Sequence, residues 1–424
     1  METYGHILVI VTPLFLFLVL FEKWYGWYKG KETVETLDMI SSLSSGVTNS
    51  TKDVLGLSVG ILSYPWLLEH FTIIQVQSSI LLYFIAFIAL DFAGYWGHRI
   101  NHTYNIFWNN HLIHHSSEHF NLACALRQSI SVFIRIYTFL LLPAALLGVP
   151  PKVIAVIAPL HLFAQLWYHT CHIKKMGWLE KIIVTPAHHR VHHAINPEYI
   201  DKNFGQIFIF WDKLFGTFQE EREDIPAVYG ITIPVRTWNP IKINFTHLWL
   251  LIKDAWHTQS WKDKFRIWLM PLGWRPSDVV DTYPIYKIED VYHFNKYETN
   301  ASKSLKIYLW FQLFSLLFIV AYLYGHIASI GSPNIFIYGA FIFVHIYSLT
   351  DLMDGNKKIW ILEGIKNATC IGWIIQSGDW FGSAQVSPLI TPALIIYFSV
   401  TSFLVYYFCQ TKKQLIAVFN FTAP

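Results

Sequence analysis

The chain has 424 residues, of which 54% are hydrophobic, 17% aromatic and only 14% charged, against about 25% charged in soluble proteins. That balance excludes disorder, collagen and coiled coil and disfavours a soluble globule, and a net charge of +3 gives no footing to a nucleic-acid partner. Cys124, Cys171, Cys370 and Cys409 lie far apart with no CxxC pair, so neither a zinc ribbon nor a disulfide scaffold follows. The composition is that of a membrane protein in a reducing compartment.

A spanning helix needs roughly 17–25 mostly apolar residues. Residues 3–21 form the first such run. Glu2 stands where a signal peptide has its basic end, and no A-x-A site follows, so a retained span is expected rather than a cleaved leader. Residues 54–68 and 70–90, divided only by Glu69, read as a hairpin whose short first arm carries Pro65 and suits a re-entrant turn. Residues 136–151 and 153–173 form a second hairpin around Pro150-Pro151-Lys152. The charge-free run 307–350 is broken at Gly331-Ser332-Pro333, which predicts two helices and a tight turn. Residues 380–411 supply the last span. The expected fold is all-α and polytopic, with about eight transmembrane helices. Its predicted parts are N-terminal helices (1–90), a catalytic region (91–306) and C-terminal helices (307–424).

With that count, segments 22–53, 91–129, 174–306 and 351–379 share one side and hold 27 of the 31 Lys and Arg residues. Leaving out the long segment 174–306 still sets nine against Lys152, Lys412 and Lys413, so that side is predicted to be cytoplasmic. The membrane would be the plasma membrane in a bacterium and the endoplasmic reticulum in a eukaryote. Segment 174–306 mixes aromatics with Lys and Arg, as in Phe208–Trp211 and Trp256–Trp268. Such a pattern suits a surface in the headgroup region; a soluble domain with its own core is the alternative.

Thirteen of the 20 histidines fall between His98 and His193. His98 and His102 are spaced i, i+4, whereas His111, His114 and His115 follow i, i+3, i+4, a pattern repeated by His189, His192 and His193. On a helix these spacings align side chains along one face, so each box offers its imidazoles to one point. All three boxes start from the same predicted membrane face. Eight imidazoles exceed the four ligands of a zinc site, which implies two ions. The chain has no HExxH and no Glu-x-x-His, the signatures of zinc proteases and ferritin-like carboxylate sites. Imidazole suits iron, zinc or copper. An oxygen-activating di-iron centre accounts best for a histidine-rich set at a membrane surface, with zinc storage or transport and a non-enzymatic scaffold as alternatives.

His169, at the end of a predicted span, is expected as a ninth ligand, with His172 a weaker candidate. Asp91, Tyr95, His98 and His102 fall on one helix stripe, and Asp91 is expected to accept a ring N–H from a ligand or a neighbour. Glu118 and Asn121, just after the second box, are expected to support it likewise. His119 and His188 point off the box faces, towards solvated or supporting roles. His6, His326 and His345 read as structural.

The boxes as they stand, His98-Arg-Ile-Asn-His102, His111-Leu-Ile-His-His115 and His189-Arg-Val-His-His193, resemble those of the fatty acid hydroxylase and sterol desaturase superfamily. The longer texts DFAGYWGHRINH (91–102), FWNNHLIHHSSEHFNLACALRQS (107–129), TPAHHRVHH (185–193), IDKNF (200–204) and FWDKLFGTF (210–218) resemble its ether-lipid-cleaving branch, the alkylglycerol monooxygenases. The resemblance implies an integral membrane enzyme with non-haem iron that uses O2 and tetrahydrobiopterin on a membrane lipid. It would hydroxylate the alkyl carbon beside a glycerol ether oxygen, and the product would collapse to a fatty aldehyde and a glycerol derivative. Carried over by motif, the metal ligands would be His98, His102, His111, His114, His115, His189, His192 and His193. That branch has Glu directly after the second histidine of the first box, where this chain has Thr103. Hydroxylation or desaturation of a sterol, carotenoid or acyl chain on the same centre is the sister reading. The chain has no His-Pro-Gly-Gly of a fused cytochrome b5, no G-x-G-x-x-G and no iron–sulfur cysteine pattern, so an external electron donor is expected. Nothing in the sequence sets an oligomeric state.

Overall fold

The computed structural model describes residues 2–77, 79–132 and 134–411; Lys412 and Lys413, counted above towards orientation, lie outside the described residues. The first helices in chain order are α1 (Glu2–Tyr28), α2 (Thr36–Val54), α3 (Tyr64–Phe71), α4 (Ser79–Thr103), α5 (Asn105–Trp108), α6 (Leu112–His115), α7 (Leu142–Leu146), α8 (Pro151–Phe163) and α9 (Pro186–His192). There follow α10 (Phe210–Leu214), α11 (Pro240–His257), α12 (Trp261–Arg266), α13 (Ser277–Val280), α14 (Lys303–Gly325), α15 (Ile327–Ile330), α16 (Asn334–Met353), α17 (Ile359–Ser377) and α18 (Ile390–Gln410). Two short strands, β1 (Val59–Gly60) and β2 (Ile134–Arg135), pair in parallel.

Among the described residues five helices, not eight, are long and apolar enough to cross a bilayer: α1, α4, α14, α16 and α18. The expected arm at 54–68 is instead β1 followed by the start of the eight-residue α3. The second hairpin breaks into a 3-10 turn at Tyr137–Leu141, the five-residue α7 and the thirteen-residue α8. Proline explains this, because its ring removes a backbone donor and clashes with the preceding turn. Pro65 and Pro143 sit at helix starts, Pro151 opens α8, and Pro159 lies inside it.

Hydropathy also passed over α2, whose polar sequence is nonetheless mostly buried. Most of its hydroxyls find partners, some within the helix and some across the fold: Ser42 Oγ donates to Asp38 O at 2.8 Å, Thr48 Oγ1 donates to Ser45 O at 2.7 Å, and Ser50 Oγ meets Tyr324 OH at 2.7 Å. The apolar side of α2 (Leu37, Ile40, Leu43) joins Leu309, Leu313, Leu352, Met353 and Phe408 of α14, α16 and α18 in the main core. Each fully buried large side chain there adds roughly 1.5–3 kcal/mol.

The site hangs from α4. At 25 residues this helix is about 37 Å long, more than the roughly 30 Å of hydrocarbon that a spanning helix needs to cross. Its first turns expose Ile80, Leu81 and Phe84, whereas Asp91, Tyr95, His98 and His102 further along are buried. The last turns therefore enter protein rather than lipid, and they carry the first histidine box.

Candidate metal centre

Each box gets its geometry from a short local element. His98 and His102 are one turn apart on α4. His111 is the N-cap of α6, which ends with His114 and His115. His189 and His192 lie on α9, and His193 is its C-cap. A reciprocal pair of bonds between Thr185 and His188 starts α9, so His188 serves the backbone and is buried rather than solvated. His169 comes from the loop after α8.

These nine histidines gather in two groups. His98, His102, His111, His115 and His192 form one, and His114, His169, His189 and His193 the other, with the facing nitrogens of each group all within 4.8 Å of one another. The facing atoms are Nε2 throughout. In the first group His111 stands 2.9 Å from His98, and His115 stands 3.2 Å from His102 and 3.0 Å from His192. In the second, His169 stands 3.3 Å from His114 and 2.8 Å from His189, which is 3.0 Å from His193. The groups adjoin: the rings of His115 and His193 stack at 4.3 Å.

The other ring nitrogen fixes which way the lone pair points. His98 Nδ1 donates to Phe204 O at 2.9 Å, His192 Nδ1 to Lys202 O at 2.9 Å, and His169 Nδ1 to Gln165 O at 3.1 Å. A neutral imidazole has one N–H, so in these three rings Nε2 presents a bare lone pair inward. Burial, reinforced by the neighbouring imidazoles, holds the pKa of His111, His114, His115, His189, His192 and His193 well below 6.5. Burial likewise takes His169 to about 3. Four or five inward nitrogens with so few protons cannot satisfy one another by hydrogen bonds, and a cation is the partner such a set fits.

The carrier loop for two of those carbonyls is residues 200–212. Asp201 and Asn203 both adopt positive φ, 56° each, a conformation costly for residues other than glycine. Asn203 is anchored on both sides, donating from Nδ2 to His188 O and Gln219 O and accepting from Gln219 N–H. Asp212 accepts from the N–H groups of Phe204 and Gly205 at 2.7 and 2.8 Å. Gly205 is required here, since a Cβ would lie 2.8 Å from both Asp212 Oδ2 and Phe208 O.

Asp91 is fully buried, and its neighbour is His161, whose Nε2 lies 2.9 Å from Oδ1. It also accepts from the N–H groups of Ile207 and Phe208 and from Trp211 Nε1. Glu118 accepts from Tyr297 N–H, while Asn121 donates to Thr33 O and accepts from Ala123 N–H. These two residues thus hold backbone segments rather than histidine rings. Asp201 Oδ1 approaches His102 Nδ1 at 3.9 Å. Thr103 Oγ1 turns back to Arg99 O. His172 bonds Thr33 Oγ1 and joins neither group, and His119 is half-buried beside Asp38 and Glu118.

Residues 83–217 match the fatty acid hydroxylase family, a span that holds all nine grouped histidines and the 200–212 loop. The chain is 33% identical over 412 residues to the alkylglycerol monooxygenase of Homo sapiens, covering 95% of this chain and 89% of that protein. The chain belongs to the alkylglycerol monooxygenase family. The Danio rerio alkylglycerol monooxygenase is 32% identical over 415 residues, with the same coverage. The ornithine lipid hydroxylase OlsE of Rhizobium tropici shares 29% identity over 149 residues, 35% of this chain and 45% of that protein. No solved structure matches.

In this alkylglycerol monooxygenase family member, three supporting residues escape motif reading. His161 lies inside an apolar run and has no box spacing. Glu22, at the end of a span, accepts from Thr170 Oγ1 at 2.5 Å and Leu122 N–H at 2.6 Å, joining the segments after His169 and His115. Arg190 turns away from its flanking histidines into a bidentate pair with Glu221 and donates to Thr170 O and Ile173 O. Glu22 stands beside Lys23 at the end of the apolar run 3–21, where a charge pair reads as an ordinary span boundary.

Proposed function

We propose that the chain is a di-iron, O2-dependent membrane monooxygenase that hydroxylates the alkyl carbon beside the glycerol ether oxygen of an alkylglycerol. The observation that carries this reading is the pair of buried, neutral imidazole sets facing inward, in a chain whose near full-length relatives are alkylglycerol monooxygenases. His98, His102, His111, His115 and His192 hold one iron; His114, His169, His189 and His193 hold the other. When bound, the pair supplies O2 activation.

The chain's own residues do the rest. The carbonyls of Phe204, Lys202 and Gln165 fix the tautomers of His98, His192 and His169. Burial keeps bulk water from the reacting carbon, and Asp91 is a positioning residue that ties α4 to the 200–212 loop. The alkyl tail enters from the bilayer, and the glycerol end stays at the cytoplasmic face.

Reduction of O2 takes four electrons: two from the C–H bond and two from a reductant, with one oxygen entering the lipid and the other leaving as water. The hydroxylated ether is a hemiacetal, which collapses to a fatty aldehyde and a glycerol derivative. Tetrahydrobiopterin, a two-electron donor reaching the site from the cytoplasm, fits a sequence that carries no cytochrome b5, G-x-G-x-x-G or iron–sulfur motif.

Purified protein should contain about two irons and form fatty aldehyde from a 1-O-alkylglycerol with O2 and tetrahydrobiopterin, without a reductase. Stoichiometric zinc and no oxygen uptake would overturn the reading. The likeness to a lipid hydroxylase and to a sterol desaturase of Aspergillus fumigatus supports a second reading, oxidation of an acyl chain or sterol. Turnover of those substrates with a cytochrome b5 or ferredoxin system, and none with the ether lipid, would favour it.

A further inference from the structure

Helix α11 buries one side and exposes an apolar one. The inner side (Ile243, His247, Leu251, Asp254) mixes apolar and polar residues and is buried. On the outer side Trp249, Ile252 and Trp256 repeat at i, i+3, i+7, and Trp261, Phe265 and Leu269 continue at i, i+4, i+8 along α12 and the turn after it. All six are exposed, Trp256 at 80%, Trp261 at 72% and Phe265 at 74%. An outward apolar face of this extent, rimmed by polar residues, marks an interaction surface.

Charge and connectivity select its occupant. Lys253 and Lys262 are exposed among these aromatics, and no carboxylate is paired with either among the described residues. The two carboxylates of the helices are already bound, Asp254 to Arg275 and Asp263 to Arg266, each at 2.6 Å. Trp and Lys on one outward face are the composition of an in-plane membrane helix. The element is also fastened to the end of a spanning helix. Leu272 N–H donates to Thr103 O at 2.8 Å, and Asn105, just past α4, donates from its backbone to Met270 O and from its side chain to Ile267 O, each at 3.0 Å.

We propose that the outer face of α11 and α12 is a docking platform lying in the headgroup layer of the same bilayer that α4 crosses, with Lys253 and Lys262 engaging anionic phospholipid. The aromatic rings sit at the headgroup–acyl boundary, and the platform sets the depth at which the first histidine box stands.

The test uses the full chain in nanodiscs of phosphatidylcholine with or without phosphatidylglycerol. An environment-sensitive fluorophore is attached to Trp256→Cys or Phe265→Cys, with Glu223→Cys, on an exposed loop, as reference and Cys171→Ser as background. Brominated acyl chains should quench the first two labels several-fold more than the reference, and phosphatidylglycerol should strengthen that quenching unless Lys253→Glu and Lys262→Glu are also present. Quenching by aqueous iodide equal to the reference would overturn the proposal. So would indifference to phosphatidylglycerol, or oxidative cross-linking between the new cysteines of two chains, which would make the face a contact between copies. None of these readouts depends on turnover.

Discussion

Asp91 and His161 meet at 2.9 Å inside the protein, from α4 and from α8. Because Asp91 also accepts from Ile207 and Phe208 N–H, one carboxylate holds two helices and the loop that supplies Phe204 O to His98. Leaving buried donors without an acceptor costs about 1–3 kcal/mol each. Asp91→Ala should therefore lower iron content and reduce turnover by roughly tenfold or more, although Asp91 touches no grouped histidine. Elemental analysis of the purified variant checks the first effect, and an aldehyde assay the second.

Gly205→Ala tests the carrier loop. The added Cβ would press on Asp212 Oδ2 and on the Phe208 carbonyl, and Asp212 cannot move without breaking the bonds it accepts from Phe204 and Gly205 N–H. The expected result is a membrane-inserted protein with weakened iron retention and a loss of stability of about 1–3 kcal/mol. Thermal unfolding in detergent, run beside an iron assay, would show it; wild-type values in both would remove the loop from the site's support.

His169→Ala should separate the two groups. It removes one of four inward nitrogens from the second group and leaves the first group intact, so iron should fall from about two per chain towards one and activity should be lost. His172→Ala should change neither value, because that ring bonds Thr33 Oγ1 outside both groups. Equal iron loss in both variants would contradict the grouping.

A pH effect away from the histidine groups is expected at His247. Its Nε2–H donates to Asn105 O at 2.9 Å, and burial pushes its pKa down to about 4. The folded value lies below the unfolded one, so the stabilisation is complete above about pH 6.5 and is lost as pH falls through 4. The amount at stake is about 3 kcal/mol. His247→Gln keeps a donor but does not titrate, so its melting temperature should fall less than wild type between pH 7 and about pH 4.5. Parallel curves would show that His247 is not linked to folding.

Much of the centre was legible along the chain, because helix periodicity is a local property. His98 and His102, or His189 and His192, must share a face once their segments are helical, and an imidazole at such spacing has few structural uses. His169 was legible from its place at the end of an apolar run on the same predicted face as the boxes. Tertiary structure decided the division of nine histidines into sets of five and four. Box two contributes to both sets and so does box three, and the sets adjoin where the His115 and His193 rings stack. It also decided that Asp91 faces His161, and that Glu118 and Asn121 serve backbone segments, since a carboxylate finds its partner by packing rather than by spacing. Among the described residues five helices are long and apolar enough to cross a bilayer, fewer than the apolar runs suggest, for a local reason that hydropathy ignores: Pro65, Pro143 and Pro151 stand at helix starts and divide runs whose average hydrophobicity is high. The burial of polar α2 was invisible for another reason: Ser42 and Thr48 bond carbonyls of their own helix once it forms, whereas Ser41 and Ser45 reach Trp238 O and Gln128 O, partners that only packing supplies.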